Sequence, residues 1–382
     1  MHHRYPAIDR LRGLVMVLMV LDHSRDFLGA SGIDPRDLDD PVLFLSRWIT
    51  HFCAPVFAFL AGASAWLASR HDAQRWRAGR SLLLRGVWLI ILELTWVRFS
   101  WTFSLQPEFI LLQVLWVLGW GLIVLALLLP LPPWLVGVLG GVILFTHNLL
   151  DGVEPSGPAG AGLLWSLLHR SQLFVLSDGR AVWVLYPLLP WIGVMAFGYG
   201  FAPNLVPGVR QDRFFLAWGA GLLAGFVILR YTGVYGDPQP WQPQASPLAS
   251  LLAFVNCEKY PPSLQFLLMT LGPALALYPW LGRVRGVGAQ ILLRFGASPL
   301  LFYVLQIPLI HGLAFLVAAA TRQPLGWLLS GFPLLHKPAG YGLPLPVVAG
   351  FALVVLVVLH WACRTCAEAE EQGRPWLIAP FL

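Results

Sequence analysis

Charge is scarce in this chain. Of its 382 residues only 12% are Asp, Glu, Lys or Arg, while 57% are hydrophobic and the mean hydropathy is +0.69. A water-soluble domain carries about a quarter charged residues, so the deficit excludes a soluble globular protein. Lysine is nearly missing: 23 of the 25 basic residues are Arg. They are scattered among loops, so the formal charge of +6 is not a nucleic-acid footprint, and no nucleic-acid partner is expected. Cysteine is limited to Cys53, Cys257, Cys363 and Cys366. The last two form a CxxC, but no second pair completes a zinc site, and no metal is expected. A small-residue cleavage site is missing as well. The first apolar run starts at Leu11 and leads into charges, so no cleavable leader is expected. Nor is there the internal repeat that transporters show as matching halves.

What remains is apolar, with 18 Trp and 31 Pro, which suits a bilayer protein with interfacial aromatics and broken helices. A spanning helix needs about 20 mostly apolar residues. Ten candidate spans follow: 8–29, 42–69, 82–101, 108–129, 132–149, 181–203, 213–231, 263–281, 297–319 and 343–362. Segment 160–176 is apolar but holds His169 and Arg170 centrally, and reads as an interfacial or re-entrant helix. With a cytoplasmic N-terminus, 15 of the 25 basic residues fall in inner segments, five of them (Arg70, Arg75, Arg77, Arg80 and Arg85) between spans two and three. The positive-inside rule therefore places both termini in the cytoplasm. The expected architecture is a single all-α domain, 1–382, of about ten transmembrane helices enclosing a polar cavity.

A charge inside a span costs a few kcal/mol and asks for a reason. His23 lies 11 residues beyond Arg12, or roughly 16 Å at about 1.5 Å per residue. If Arg12 sits at the inner interface, His23 lies near the bilayer midplane. Asp22 beside it raises its basicity and favours one tautomer. Arg47 and His51 stand one turn apart on the second span; Glu93 is central in the third, with Arg98 further out. Gln306 and His311 occupy the ninth. A shared internal cavity accounts for all of them. Each also has a plain structural reading: packing for His311 and His147, interfacial anchoring for Arg47 and Arg98, an ion pair for Glu93. Asp178 and Arg180 precede the sixth span, and Lys259 and Tyr260 precede Pro261-Pro262 at the eighth. A solvated pair or helix cap, and an interfacial snorkelling lysine, are their plain readings.

Five stretches, AIDRLRGLVMVLMVLDHSRDF, WITHFCAPVFAFLAGAS, SDGRAVWVLYPLLPWIG, KYPPSLQFLLMTLGP and FGASPLLFYVLQIPLIH, occur in this order between Arg4 and His360. Together they resemble bacterial membrane proteins of the heparan-α-glucosaminide N-acetyltransferase catalytic-domain family. The resemblance implies transfer of an acetyl or other acyl group from cytoplasmic acyl-CoA. The acceptor would be an amine or hydroxyl, usually on a sugar or glycoconjugate, on the outer side of a bacterial inner membrane. The animal relatives end the motif RG-(apolar)-VN with Asn where this chain has His23, and their proposed catalytic histidine falls near Pro41. His23 matches the post-RG histidine of related membrane O-acyltransferases, whereas Gln306 stands where a histidine is expected. Animal relatives also suggest a homodimer, although no span carries a convincing small-xxx-small face.

On this reading His23, backed by Asp22 or Asp26, is general base or acyl carrier. Arg47 and His51 stabilise the oxyanion or assist proton transfer. Asp178, Arg180, Lys259, Tyr260, Glu93, Gln306 and His311 shape the acceptor side. Arg12, Arg80 and Arg85 meet the CoA phosphates, although topology alone explains inner arginines. The rival reading is a proton-coupled transporter or flippase with these polar groups as a relay. A third is an assembly partner whose polar groups only pack helices.

Overall fold

A computed structural model describes residues 5–70, 75–106, 108–154, 159–176, 179–331 and 333–372. In chain order the helices begin with α1 (Pro6–Leu28), α2 (Pro41–Trp48), α3 (Cys53–Ser69), α4 (Arg75–Leu92) and α5 (Arg98–Thr102). Then come α6 (Val114–Leu128), α7 (Pro133–Thr146), α8 (Ala159–Leu168), α9 (Leu188–Phe201) and α10 (Asp212–Thr232). The last five are α11 (Pro247–Val255), α12 (Leu264–Arg283), α13 (Val287–Ala297), α14 (Pro299–Ala320) and α15 (Leu345–Glu371). Three short strands, β1 (Phe109–Leu112), β2 (Gln172–Val175) and β3 (Ala181–Val184), form one sheet in the order β1-β3-β2. β3 pairs in parallel with β1 (Phe109 opposite Ala181) and antiparallel with β2 (Gln172 opposite Val184).

Among the described residues, six helical runs have the length and hydropathy to cross a membrane: Pro41–Ser69, Pro133–Leu150, Asp212–Thr232, Leu264–Arg283, Pro299–Ala320 and Leu345–Ala369. All six fall on expected spans. The other four expected spans are built differently. α1 is long enough, but Asp9, Arg10, Arg12, Asp22, Arg25 and Asp26 interrupt its apolar run. The expected third span is α4 continued by a π-helical turn, Glu93–Val97, into α5. The fourth and sixth each open as a strand, and their helices, α6 and α9, span 15 and 14 residues. The sheet corrects the all-α expectation, and β2 corrects the helix expected through residue 176. Short apolar runs such as FILL and AVWV have no period that separates strand from helix. An open sheet edge cannot face lipid, so the strands have to be shielded from it.

The chain divides into two compact units. The first joins Met1–Cys53, Trp96–Gln106 and Leu277–Leu382. In it α1 packs against α13, α14 and α15, with Met16, Val20, Phe27 and Leu28 wholly buried. Gly13 lies against the backbone of Leu292, and Gly296 against that of Asp9, so α1 and α13 meet without an intervening side chain on either. The second unit joins Ala54–Thr95 and Pro107–Ala276. Glycines again set its helix contacts: Gly86 with Gly119 between α4 and α6, Gly137 with Gly200 between α7 and α9, Gly219 with Gly272 between α10 and α12. Small residues let helix backbones approach where lipid supplies no hydrophobic drive between helices. Exposed apolar residues such as Leu353, Val357 and Trp361 on α15 suit a lipid-facing surface.

Candidate functional site

The last two turns of α1 concentrate charge in the first unit. Arg25 and Asp26 stand three and four residues after Asp22, so both fall on its side of the helix. Arg25 pairs closely with Asp22 and lies 3.4 Å from Asp26. A one-turn 3₁₀ segment, Ile49–Phe52, joins α2 to α3 and crosses this face. Its Thr50 hydroxyl reaches both Asp22 Oδ1 at 2.9 Å and the Arg47 carbonyl at 2.6 Å. Three residues further, Cys53 Sγ donates to the Val15 carbonyl at 3.1 Å. Arg47 and His51, on either side of Thr50, are thereby held on the segment that touches Asp22. His51 is fully buried.

His23 meets Trp101 edge to face, ring centroids 5.3 Å apart, and Trp101 stacks on Phe27. Phe27 in turn contacts His311, which stacks on Phe103 at 3.8 Å. His23 and His311 are therefore joined through aromatic rings. The roles open to the two histidines differ. His311 Nδ1 lies 2.9 Å from the Ser100 carbonyl and Nε2 2.9 Å from that of Leu328. Only the doubly protonated ring donates to both; a neutral ring turns one lone pair toward a carbonyl. The ring thus sits between α5 and the turn Gly326–Leu329, and a neutral tautomer donates to one of the two carbonyls. Gln306, five residues earlier on α14, is wholly buried, and neither amide atom has a hydrogen-bond partner among the described residues.

A cavity of about 440 Å³ opens where α1 ends, within the usual range for a small-molecule site. Arg25, Asp26, Ser31, Asp40 and Lys337 give it polar lining, and Ile33, Val42, Leu43, Leu334 and Val348 are among its apolar residues. Its far side comes from the segment before α15, which folds over the end of α1. Leu343 N–H donates to the Leu28 carbonyl, and Ser31 N–H to the Tyr341 carbonyl, each at 2.8 Å. Gly342 makes this docking possible: its φ is +118°, and a Cβ there would enter the backbone of Gly29 and Ala30. Lys337 Nζ donates to the carbonyls of Asp26 at 2.7 Å and Gly29 at 2.8 Å, a cation on the negative end of the α1 dipole. Burial brings its pKa down to about 8, against the pull of Asp26 upward. Burial likewise pushes the Tyr341 hydroxyl up to about 12.

The other expected site residues have separate surroundings. Arg12 donates to the Gly296 carbonyl at 2.8 Å and pairs with Asp9, so its guanidinium serves helix packing. In the second unit Arg80 and Arg85 are exposed on α4. Both oxygens of the buried Glu93 are occupied: Oε1 accepts the Gln113 N–H at 2.9 Å and Oε2 the Leu115 N–H at 3.1 Å. Glu93 is an N-terminal cap for α6, supplied from the preceding helix. Lys259 is buried and lies over the ring of Tyr260, which meets Tyr186 edge-on. Arg180 is exposed, and Asp178 lies outside the described residues.

The loop before α12 is tightly tied by Arg230. Its guanidinium donates to the carbonyls of Gln239, Ala253, Phe254 and Asn256 and faces Asp237 at 3.6 Å. A second network links Asn148, Asp151 and His169, with His169 Nε2 3.0 Å from Asp151 Oδ1, and Asn148 also accepts the Leu264 N–H. Sequence reasoning passed over both, since a single Arg near a helix end and a polar pair 18 residues apart have no spacing signature. It also passed over Lys337. Its signal was scarcity: Lys337 is one of two lysines in a chain that otherwise uses arginine. Among the described residues no cluster of three or more His, Cys, Asp or Glu is arranged to hold a metal.

No curated protein matches the chain. The profile of the family described as heparan-alpha-glucosaminide N-acetyltransferase, catalytic, matches residues 4–230, from the approach to α1 almost to the end of α10. Gln306, His311 and Lys337 lie beyond the match, while the charged turns of α1 and the segment carrying Arg47 and His51 lie within it. With six helices fit to cross a bilayer and a match over more than half its length, the chain is a multi-pass membrane protein belonging to the heparan-α-glucosaminide N-acetyltransferase catalytic family.

Proposed function

We propose that this protein transfers an acetyl or other acyl group from acyl-CoA, presented from the cytoplasm of a bacterium, to an amine or hydroxyl on the outer side of the inner membrane. The acceptor is a sugar or glycoconjugate. The observation that carries the reading, in a chain of this acetyltransferase family, is the polar-lined cavity at the end of α1. Two of its residues, Arg25 and Asp26, stand two and three positions beyond His23. His23 takes the proton from the acceptor nitrogen or oxygen as that atom attacks the thioester carbonyl. The C–S bond breaks, the proton passes to the CoA thiolate, and CoA leaves. Asp22, held by Arg25 and Thr50, is the carboxylate next to that imidazole in the chain. Arg47 and His51 sit on the segment bonded to Asp22 and supply positive charge or a donor to the oxyanion.

The test is release of CoA from labelled acetyl-CoA by purified protein, with glucosamine as acceptor. His23→Ala is expected to lower the rate about 10²- to 10⁴-fold, the usual worth of general acid–base catalysis. Proton-driven uptake into vesicles without CoA release sinks the proposal and favours the transporter. The family match gives that reading no support.

A further inference from the structure

The cavity at the end of α1 contains a group that the reaction scheme above leaves without a role. Lys337 lines it, yet its ammonium is largely withdrawn from water. A lysine that merely caps a helix keeps its head in solvent, because the ammonium is strongly hydrated and its stem is long enough to snorkel. Here the head is brought inward and aimed. Two of its three N–H directions are spent on the carbonyls of Asp26 and Gly29. The nitrogen is tetrahedral, so two fixed bonds define the third direction. The charged groups around it are Arg25 and Asp26 on α1 and, on the opposite rim, Asp40 before α2. On its own segment the ring of Tyr341 lies 5.8 Å away. With Asp22 paired to Arg25, two cations meet three carboxylates, so the cavity favours a neutral hydroxyl oxygen over an anion.

We propose that Lys337 is the ligand-facing donor of this cavity, its third N–H holding a hydroxyl oxygen of the acceptor while the two carbonyl bonds fix its direction. The proposal rests on the reading of this cavity as the acceptor site. It separates two roles that a lysine here can have. A neutral amine keeps two N–H groups, enough for both carbonyls, but gives up the third. A positioning role therefore survives deprotonation, and a ligand-donor role does not. Burial sets that loss near pH 8, where Asp26 favours the charged form and Arg25 opposes it.

Because the chain has two lysines, amine chemistry reads out cleanly by peptide mass spectrometry. Native protein in detergent is treated with acetic anhydride across a pH series, with protein unfolded in strong denaturant as the fully labelled reference. Lys337 is expected to be acetylated with a half-maximal rate near pH 8, and a saturating methyl glucoside, which offers hydroxyls but no amine to consume the reagent, is expected to slow it. Lys337 untouched at pH 9 in the native protein overturns the proposal. In the CoA-release assay, KM for glucosamine is expected to rise about tenfold from pH 7 to pH 9, the change in the protonated fraction across a pKa near 8, with kcat little changed. Lys337→Met raises KM at pH 7 and removes that pH dependence, while Lys337→Arg restores part of the affinity. An unchanged KM in Lys337→Met with a lowered melting temperature makes the residue a cap of α1 alone and overturns the proposal. Absence of CoA release in the unsubstituted protein refutes the transferase reading, and the labelling still decides where Lys337 points.

Discussion

At Glu93, a carboxylate buried in an expected membrane span is tolerable because two backbone N–H groups at the start of α6 meet its two oxygens. A negative group at a helix N-terminus is stabilised by the unpaired N–H donors and the dipole together. Glu93→Ala leaves both donors buried without acceptors and is expected to cost about 2 kcal/mol, read as a fall of several degrees in melting temperature. Glu93→Gln, with one acceptor oxygen left, is expected to fall between. Lys337 supplies a prediction of opposite form. Its pKa moves from 10.5 in an unfolded chain to about 8 here through burial. Between those values the unfolded state binds the extra proton, so stability rises with pH across that window. Melting temperatures of the native protein are expected to climb from pH 8 toward pH 10.5, with this contribution missing in Lys337→Met. Sequence alone announced neither role. It marked Glu93 as an anomaly in an apolar run, which is a cost without a compensating partner, and partners come from chain segments that no local spacing reveals.

At the scale of elements, the long apolar helices were legible because twenty-odd apolar residues in a row have one solution in lipid. Expected spans 263–281 and 297–319 fall on α12 and α14. The two strands that open expected spans four and six were not legible, since four apolar residues fit either secondary structure. Nor was the crossing of α1 and α13, where the sequence has single glycines without a small-xxx-small repeat on either helix. A Cβ on Gly13 would enter the Leu292 backbone, whereas one on Gly312 in α14 meets nothing within 4 Å. Gly13→Ala is therefore expected to lower stability by about 1–3 kcal/mol through forced separation of two backbones. Gly312→Ala should leave it unchanged or raised by a few tenths to about 1 kcal/mol, the usual gain in a helix interior. Paired thermal melts of the two variants check the contrast. The cluster of charge at the end of α1 was legible in the sequence, and its neighbours Thr50 and Trp101 came only with the fold.

For the whole molecule, the arginine distribution sets an orientation that the fold leaves open. Fluorescent and periplasm-dependent enzyme reporters fused in turn to each end are expected to report both ends cytoplasmic. An active periplasmic enzyme at either end reverses that orientation. No linker marked the two units because the first is discontinuous: its three pieces lie at the start, a quarter of the way along, and at the end of the chain. Composition cannot signal a boundary that the chain crosses several times in apolar sequence.

That discontinuity imposes an order on biosynthesis. Arg10 of α1 donates to the Leu281 carbonyl 271 positions later, Arg12 to that of Gly296 after 284, and Lys337 closes on Asp26 across 311. When α1 leaves the ribosome, none of these partners exists. For most of translation the helix holds its charges without their final acceptors, at a cost of a few kcal/mol for each one that meets lipid. The acceptors of Arg10 and Arg12 and the lysine that closes on the end of α1 are made only in the last part of the chain, so a chain that stops short of α13 keeps its first helix without them.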